Sequence, residues 1–494
     1  MQENKSFLAK RMLKSSSVYA VSGILRNLVG FLMLPIYTRY LTPEDYGIVS
    51  LMIFFISLVE ISLGARLGLA TVKFFHDQEQ ESVRKEVVAS ALLLTSVVSL
   101  FLSIAISLLS SPVSDLVFGD TNLAIVVSIF SILITTQAIE TTGLDLIRIR
   151  NKVWWYFWFS LAKLVVQLIL NITFVVIMEL GVLGVAIASA ASSVIFATIM
   201  FLVTVKDVGL RFNAILAKSM FIFCAPLWIS GIVSLYIGSS NRYWMRIYSS
   251  LDDIGFFALA ERLASVLVML LWQPFYQYWS VERFRIKDRP DIINIQGNTF
   301  ILAALGLMIA ALGLSLFADT IIWIIASENF RIASHAVPLI ALAYVLNSLT
   351  SFFNFSFEVK SKTLVITKIT NIVAVLITVL NILLIPVYGF VGAAAALAIT
   401  SLMRFFISHH YSKDVLDLQL PLLRYSLGLI LVVSGCAFIL WFREKFDLIA
   451  YLGVTVLGFT VISTGAALIM LWGGRLDYVR DTLKSFIRKK YSSN

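Results

Sequence analysis

The 494 residues are 59% hydrophobic and only 14% charged, a mixture that cannot surround several soluble domains with polar surface. The apolar residues arrive in blocks of roughly 20 separated by short charged segments, and at 1.5 Å rise per residue such a block crosses a hydrocarbon core of about 30 Å. The net charge of +10 is spread over alternate connections instead of one patch, so membrane topology accounts for it without a nucleic-acid ligand.

The chain opens with a basic segment, 1–15, that carries Lys5, Lys10, Arg11 and Lys14 and has no small-residue cleavage site after a short apolar core. It predicts a retained first span, not a removed signal peptide. The candidate spans then run over 16–36, 47–72, 87–109, 121–141, 153–177, 181–204, 219–240, 254–280, 298–318, 335–357, 364–386, 389–408, 422–441 and 448–472. Fourteen helices therefore fit the sequence better than β-barrel strands, which would be about ten residues long and alternate in polarity. The segment 318–335 reads either as an extension of the ninth span or as an interfacial stretch.

Lys and Arg mark one side of the membrane. Every second connection is basic, with Lys73, Arg84 and Lys85, then Arg148, Arg150 and Lys152, then Lys206, Arg211 and Lys218, and so on to the tail at 473–494. The opposite connections hold few such residues, which predicts an even number of spans with both termini in the cytoplasm. The charged stretch 281–296 reads as a solvated linker. Trp154, Trp155 and Trp158 follow a basic loop and predict a headgroup-level anchor for the fifth span.

A weak duplication appears at an offset of about 208 residues. LTPEDYGIVSL at 41–51 matches SSLDDIGFFAL at 249–259, which pairs Asp45 with Asp253 and Gly47 with Gly255. GVLGVA at 181–186 matches GFVGAA at 389–394, and Asn171 corresponds to Asn381 after a two-residue adjustment. The order of these matches predicts two parallel six-helix lobes, 16–205 and 219–408, related about a membrane-normal axis. Linkers at 206–218 and 409–421 flank the second lobe, and two additional helices occupy 422–472. Paired lobes around a central cavity make transport the leading functional class.

Ionisable residues within hydrocarbon are costly and face protein or a hydrated cavity. Arg26 lies in the first span, Glu60 and Arg66 in the second, Lys163 in the fifth, and Glu261 and Arg262 in the eighth, while Arg242 follows the seventh near the outer face. Arginines at several depths suit an anionic headgroup, because guanidinium offers fixed paired donors to phosphate. The alternative is a structural network in which the acids lock the bases between helices. Lys163 could equally snorkel, and Asp45 and Asp253 suit helix starts.

Other chemistry is unsupported. No glycine-rich nucleotide cradle is present, the four histidines form no metal signature, and Cys224 and Cys436 sit inside apolar runs as small hydrophobes. No catalytic constellation points to an enzyme, and no cofactor is expected. Coupling to a proton or sodium gradient stays open.

The stretch SSSVYAVSGILRNLVGFLMLPIYTRYLTPEDYGIVSL, Ser15 to Leu51, and the pattern NITFVVIMELGVLGVAIASA, Asn171 to Ala190, resemble bacterial polysaccharide-transport proteins. These are the O-antigen and exopolysaccharide repeat-unit flippases of the multidrug/oligosaccharidyl-lipid/polysaccharide exporter superfamily. The resemblance implies a MATE-like, all-α membrane fold that moves undecaprenyl-pyrophosphate-linked oligosaccharides from the inner to the outer leaflet of the bacterial inner (plasma) membrane for surface polysaccharide synthesis. Implied partners are the anionic lipid-linked oligosaccharide and the polymerase and chain-length machinery. Arg26 matches the intramembrane arginine that the resemblance leads one to expect in the first span. A peptidoglycan-precursor flippase, a MATE-like amphiphile or drug exporter, and a nontransport scaffold are the alternatives.

Overall fold

The computed structural model describes residues 31–62, 67–418, 420–441 and 448–471. All the regular structure there is helical. The helices are α1 Leu34–Tyr40, α2 Pro43–Ser62, α3 Gly68–His76, α4 Glu81–Leu108, α5 Ser110–Phe118, α6 Ala124–Ile149, α7 Val153–Asn171, α8 Gly181–Val208 and α9 Ala214–Ser239. They continue with α10 Asn241–Tyr248, α11 Leu251–Leu267, α12 Gln273–Arg285, α13 Ile292–Ile325, α14 Val337–Val359, α15 Leu364–Val415, α16 Leu422–Trp441 and α17 Leu448–Leu471. This is the arrangement hydrocarbon permits, since a helix satisfies its own backbone polar groups.

Among the described residues, 11 helices are long and apolar enough to cross a membrane, where the sequence predicts fourteen spans. The shortfall has identifiable causes. Most of the predicted first span lies outside the described residues, and the second is described as α2 and α3 on either side of 63–66. The predicted eleventh and twelfth spans form the single run α15, interrupted at Gly389, whose φ of 55° and ψ of −133° are not helical. The segment 318–335 resolves into the end of α13 followed by a 3-10 helix over Glu328–His335.

Two compact units divide the chain, one formed by Met1–Ala258 with Ile325–Phe330 and the other by Leu259–Ile324 with Arg331–Asn494. In the first, Val87, Val88, Ala89 and Ala91 of α4 pack with Leu67, Ala70, Phe75, Leu146, Met220 and Cys224. Small hydroxyl residues let the helices approach and bond, as where Thr136 and Ser193 meet at 2.8 Å. The core of the second unit is aromatic. Phe353 and Phe405 have ring centroids 5.0 Å apart, Phe405 and Tyr425 5.3 Å, and Phe300 and Phe352 5.4 Å. Edge-to-face and tilted contacts of this kind add to the gain from burial.

Matching turn geometry recurs in the two halves of the chain, at Asn151 and Ser361 and, within the duplicated words, at Gly181 and Gly389. At the end of α6, Asn151 takes φ 53°, while Lys152 N donates to Ile147 O at 3.0 Å and Asn151 N to Arg148 O at 3.0 Å. At the end of α14, Ser361 takes φ 54°, while Lys362 N donates to Phe357 O at 2.7 Å and Ser361 N to Glu358 O at 3.1 Å. Both are Schellman closures of a helix C-terminus. Gly181 and Gly389 share φ 55°, a backbone setting that costs a side-chain-bearing residue about 1–3 kcal/mol.

The start of α2 is a capping box: Thr42 N donates to Asp45 Oδ2 at 3.0 Å and Asp45 N to Thr42 Oγ1 at 3.1 Å. Its counterpart at α11 has Asp253 N donating to Ser250 Oγ at 3.2 Å. These two helix starts pack on each other reciprocally within the first unit. A Cβ on Gly47 would overlap the Leu251 carbonyl, and one on Gly255 would overlap the Pro43 carbonyl. Backbone cannot yield there as a side chain can. Gly47→Ala and Gly255→Ala should each lower thermal stability, by about 1–3 kcal/mol for an overpacked contact, whereas Gly306→Ala, at a position with open space around it, should not. Melting of the detergent-solubilised variants measures the difference.

Candidate cavity in the first unit

The first unit holds a cavity of about 890 Å³ walled by Ile61 of α2, by α3, by the last turns of α6 and by α9. Its apolar side is Leu69, Val72, Phe223, Leu227 and Trp228, and its polar side is Lys73, His76, Asp145, Arg148 and Asn151. The polar side lies at the end of α6 that leads into the basic connection Arg148, Arg150 and Lys152. A cavity with one greasy wall and one basic rim is amphipathic. It can take a ligand that has an apolar body and an anionic group.

Each polar group has a local cause. The Lys73 ammonium stands 4.6 Å from the Phe223 ring centroid and 5.1 Å from that of Phe74, so two ring faces hold its charge at the mouth. Asp145 and Arg148 are one turn apart on α6 and form an ion pair in which Arg148 Nη2 donates to Asp145 Oδ1. The carboxylate is 2% exposed and the guanidinium 53%. The space for the buried carboxylate exists because residue 68 is glycine, since a Cβ there would overlap Asp145 Oδ2.

Outside the cavity, Arg150 donates to Glu81 at 2.5 Å and lies 3.4 Å from Asp207. Burial pulls this guanidinium down, but the hydrogen bond to Glu81 and the charge of Asp207 outweigh it and hold Arg150 above its ordinary pKa. Arg150 thereby ties the ends of α4 and α8 to the loop after α6.

The residues singled out in the sequence fall in several places. Arg26 and Arg66 lie outside the described residues. Glu60, 1% exposed, is buried in α2. Lys163 of α7 pairs with Glu140 of α6, which is 7% exposed. Arg242 Nε donates to Ser50 Oγ at 2.8 Å and so bridges α10 to α2. In the second unit, Glu261 accepts from the Tyr344 hydroxyl at 3.1 Å, and Arg262 is half-buried beside it in the chain.

Three features escaped the sequence reading. The acid Asp145 sits one turn before Arg148 at the end of a span, a spacing visible in TTGLDLIRIRNK, but Arg148 reads there only as a topology charge. Glu140 is an acid near the end of a span, and nothing in the sequence joins it to Lys163. Arg283, placed in a solvated linker by its charged neighbours, is 3% exposed. It binds Glu358 at 2.7 Å and the Ser351 carbonyl at 3.1 Å, with Tyr276, Phe284 and Phe355 rings within 5.5 Å. Among the described residues, no group of three His, Cys, Asp or Glu side chains is placed to hold a metal ion.

Residues 12–276 match the family model described as polysaccharide biosynthesis protein, and the chain belongs to that family. It is 23% identical over 210 residues to the probable low-salt glycan biosynthesis flippase Agl15 of Haloferax volcanii, a match that spans 41% of this chain and 43% of that protein. Its fold is similar to that of the lipid II flippase MurJ in an inward closed conformation, with a TM-score of 0.70 at 17% identity over 93% of this chain and 99% of the other. It is similar as well to a multidrug resistance MATE family transporter in an inward-facing conformation, with a TM-score of 0.56 at 16% identity over 80% and 95% of the two chains.

The Glu140–Lys163 pair gives a direct prediction. Glu140→Ala strands an ammonium among apolar helices and should destabilise the fold by about 3 kcal/mol, whereas the double change Glu140→Leu with Lys163→Met should recover most of the loss, since removing both charges also removes their desolvation cost. Thermal melts of the three proteins in one detergent test it.

Proposed function

We propose that this protein is a flippase that carries undecaprenyl-pyrophosphate-linked oligosaccharide repeat units from the inner to the outer leaflet of a bacterial plasma membrane by alternating access, for cell-surface polysaccharide synthesis. The observation that carries the reading is the amphipathic cavity of the first unit, apolar along Val72, Phe223 and Trp228 and basic at Lys73, His76 and Arg148, in a member of a polysaccharide biosynthesis family. The name of the Haloferax volcanii relative, a probable glycan biosynthesis flippase, supports the same substrate class.

On this reading the two six-helix lobes, 16–205 and 219–408, alternate around the substrate. Arg26, Arg66 and Arg262 supply guanidinium donors to the pyrophosphate at successive depths. Glu60 and Glu261 balance part of that charge, Lys163 stays in the Glu140 pair until the headgroup approaches, and Arg242 meets the headgroup near the outer face. A net-positive path lowers the cost of drawing a multiply charged group through hydrocarbon, while the polyprenyl chain stays in lipid. Both termini lie in the cytoplasm, and the polymerase and chain-length machinery take up the unit after its delivery to the outer leaflet.

Reconstitution in liposomes with a leaflet-sensitive assay for a fluorescent undecaprenyl-pyrophosphate oligosaccharide tests the proposal. Wild-type protein should speed leaflet exchange well above empty liposomes, and Arg26→Gln and Arg262→Gln should each slow it by about tenfold, the equivalent of one lost charge-assisted hydrogen bond. No acceleration by folded wild-type protein, with or without proton and sodium gradients, rejects it. Acceleration in only one gradient identifies the coupling ion.

A further inference from the structure

We infer that Asp145 is a release residue, a built-in competitor that weakens the hold of the cavity on its anionic ligand; the inference rests on the flippase reading above. Arg148 is the guanidinium best placed on the cavity wall to meet a phosphate, being half-exposed and at the rim beside Lys73 and His76. Its partner is already present. Asp145 holds Arg148 Nη2 through Oδ1 and is itself almost wholly buried, so its negative charge is fixed to the wall and shielded from water.

The fixing is structural on both sides. Asp145 sits on the last turns of α6, three residues from Arg148, and Gly68 of α3 leaves its Cα face open to Asp145 Oδ2, where any side chain would intrude. A carboxylate this close to the rim opposes an incoming phosphate in two ways. It occupies one arm of the guanidinium, and it repels the anion in a medium where charges are poorly screened. Neither effect helps binding.

Both effects serve turnover. A carrier has to release its ligand on the far side, so a site that binds too well traps it, and conduction through any binding site needs affinity high enough to enter and low enough to leave. Affinity that is uniform along the path lowers the half-saturating concentration without raising the maximal rate. A neighbouring acid that returns to Arg148 as the phosphate departs supplies an internal replacement for the lost contact.

The test compares wild type, Asp145→Asn, Asp145→Ser and Arg148→Gln as full chains, each checked for monodispersity. Binding of undecaprenyl pyrophosphate is measured in nanodiscs, and transport of the fluorescent lipid-linked oligosaccharide in liposomes. Both neutral variants at 145 should bind undecaprenyl pyrophosphate at least about fivefold more tightly than wild type and transport with a lower maximal rate, so that half-saturating concentration and maximal rate fall together. Arg148→Gln, at an exposed position that tolerates the change, should bind more weakly, and adding Asp145→Asn to it should change little. A purely structural Asp145 would lower the fraction of active protein without moving the dissociation constant. Unchanged or weaker binding by folded Asp145 variants overturns the inference while wild-type binding leaves the flippase reading intact, and unchanged binding by Arg148→Gln overturns it as well. Wild-type protein that binds no pyrophosphate lipid overturns both.

Discussion

Hydrocarbon cannot solvate a charge, so each ionisable side chain that a span carries inward has to be met by another group of the protein or by water in a cavity. The rest of this structure follows from how that demand is met. Glu140 meets Lys163 between α6 and α7, Glu358 meets Arg283 between α14 and α12, and Asp319 holds Arg331 with two contacts of 2.9 and 3.0 Å at the end of α13. These pairs are expensive to bury and gain little over apolar packing. Their value is positional: the first two tie one long helix to another, and the third ties the 3-10 segment Glu328–His335 to the end of α13.

The glycine contacts hold other helices together by a different means. The overlap that a Cβ would cause at Gly47 and Gly255 fixes distance, since only bare backbone permits the two helix starts to touch. Membrane helices lack a hydrophobic drive to associate and rely on close van der Waals approach and interhelical bonds. The serines and threonines of α4, α6 and α8 continue that pattern into the first unit, as at Thr136 and Ser193.

Much of this is legible in the sequence, and the reason is physical. Spans of about 20 apolar residues are imposed by bilayer thickness, so the long helices from α4 to α14 lie where hydropathy places them. The duplicated words are legible because turns need particular residues: Gly181 and Gly389 share a φ of 55°, and the capping residues of α2 and α11 share a spacing. What the sequence conceals is pairing. Arg148 and Arg283 both look like loop charges by the positive-inside rule, yet one lines a cavity beside a buried acid and the other is enclosed by aromatic rings. Nothing in a one-dimensional charge count separates a guanidinium facing water from one facing Glu358 across 75 positions of chain.

The arrangement of the first-unit cavity bears on what kind of ligand it would suit. An apolar wall alone would suit a drug-like amphiphile, and an acidic wall would suit a cation. Here the only carboxylate on the described wall is paired with Arg148, while Lys73 stands at the rim as a further cation. The excess is therefore positive, and it lies at the end of α6 that leads into the basic connection Arg148, Arg150 and Lys152. A lipid with a phosphate head and an apolar chain meets both walls at once, and a soluble anion meets only one. That asymmetry, more than the net charge of the whole chain, is what favours a lipid-linked anion over the other ligands that a fold of this kind can accommodate.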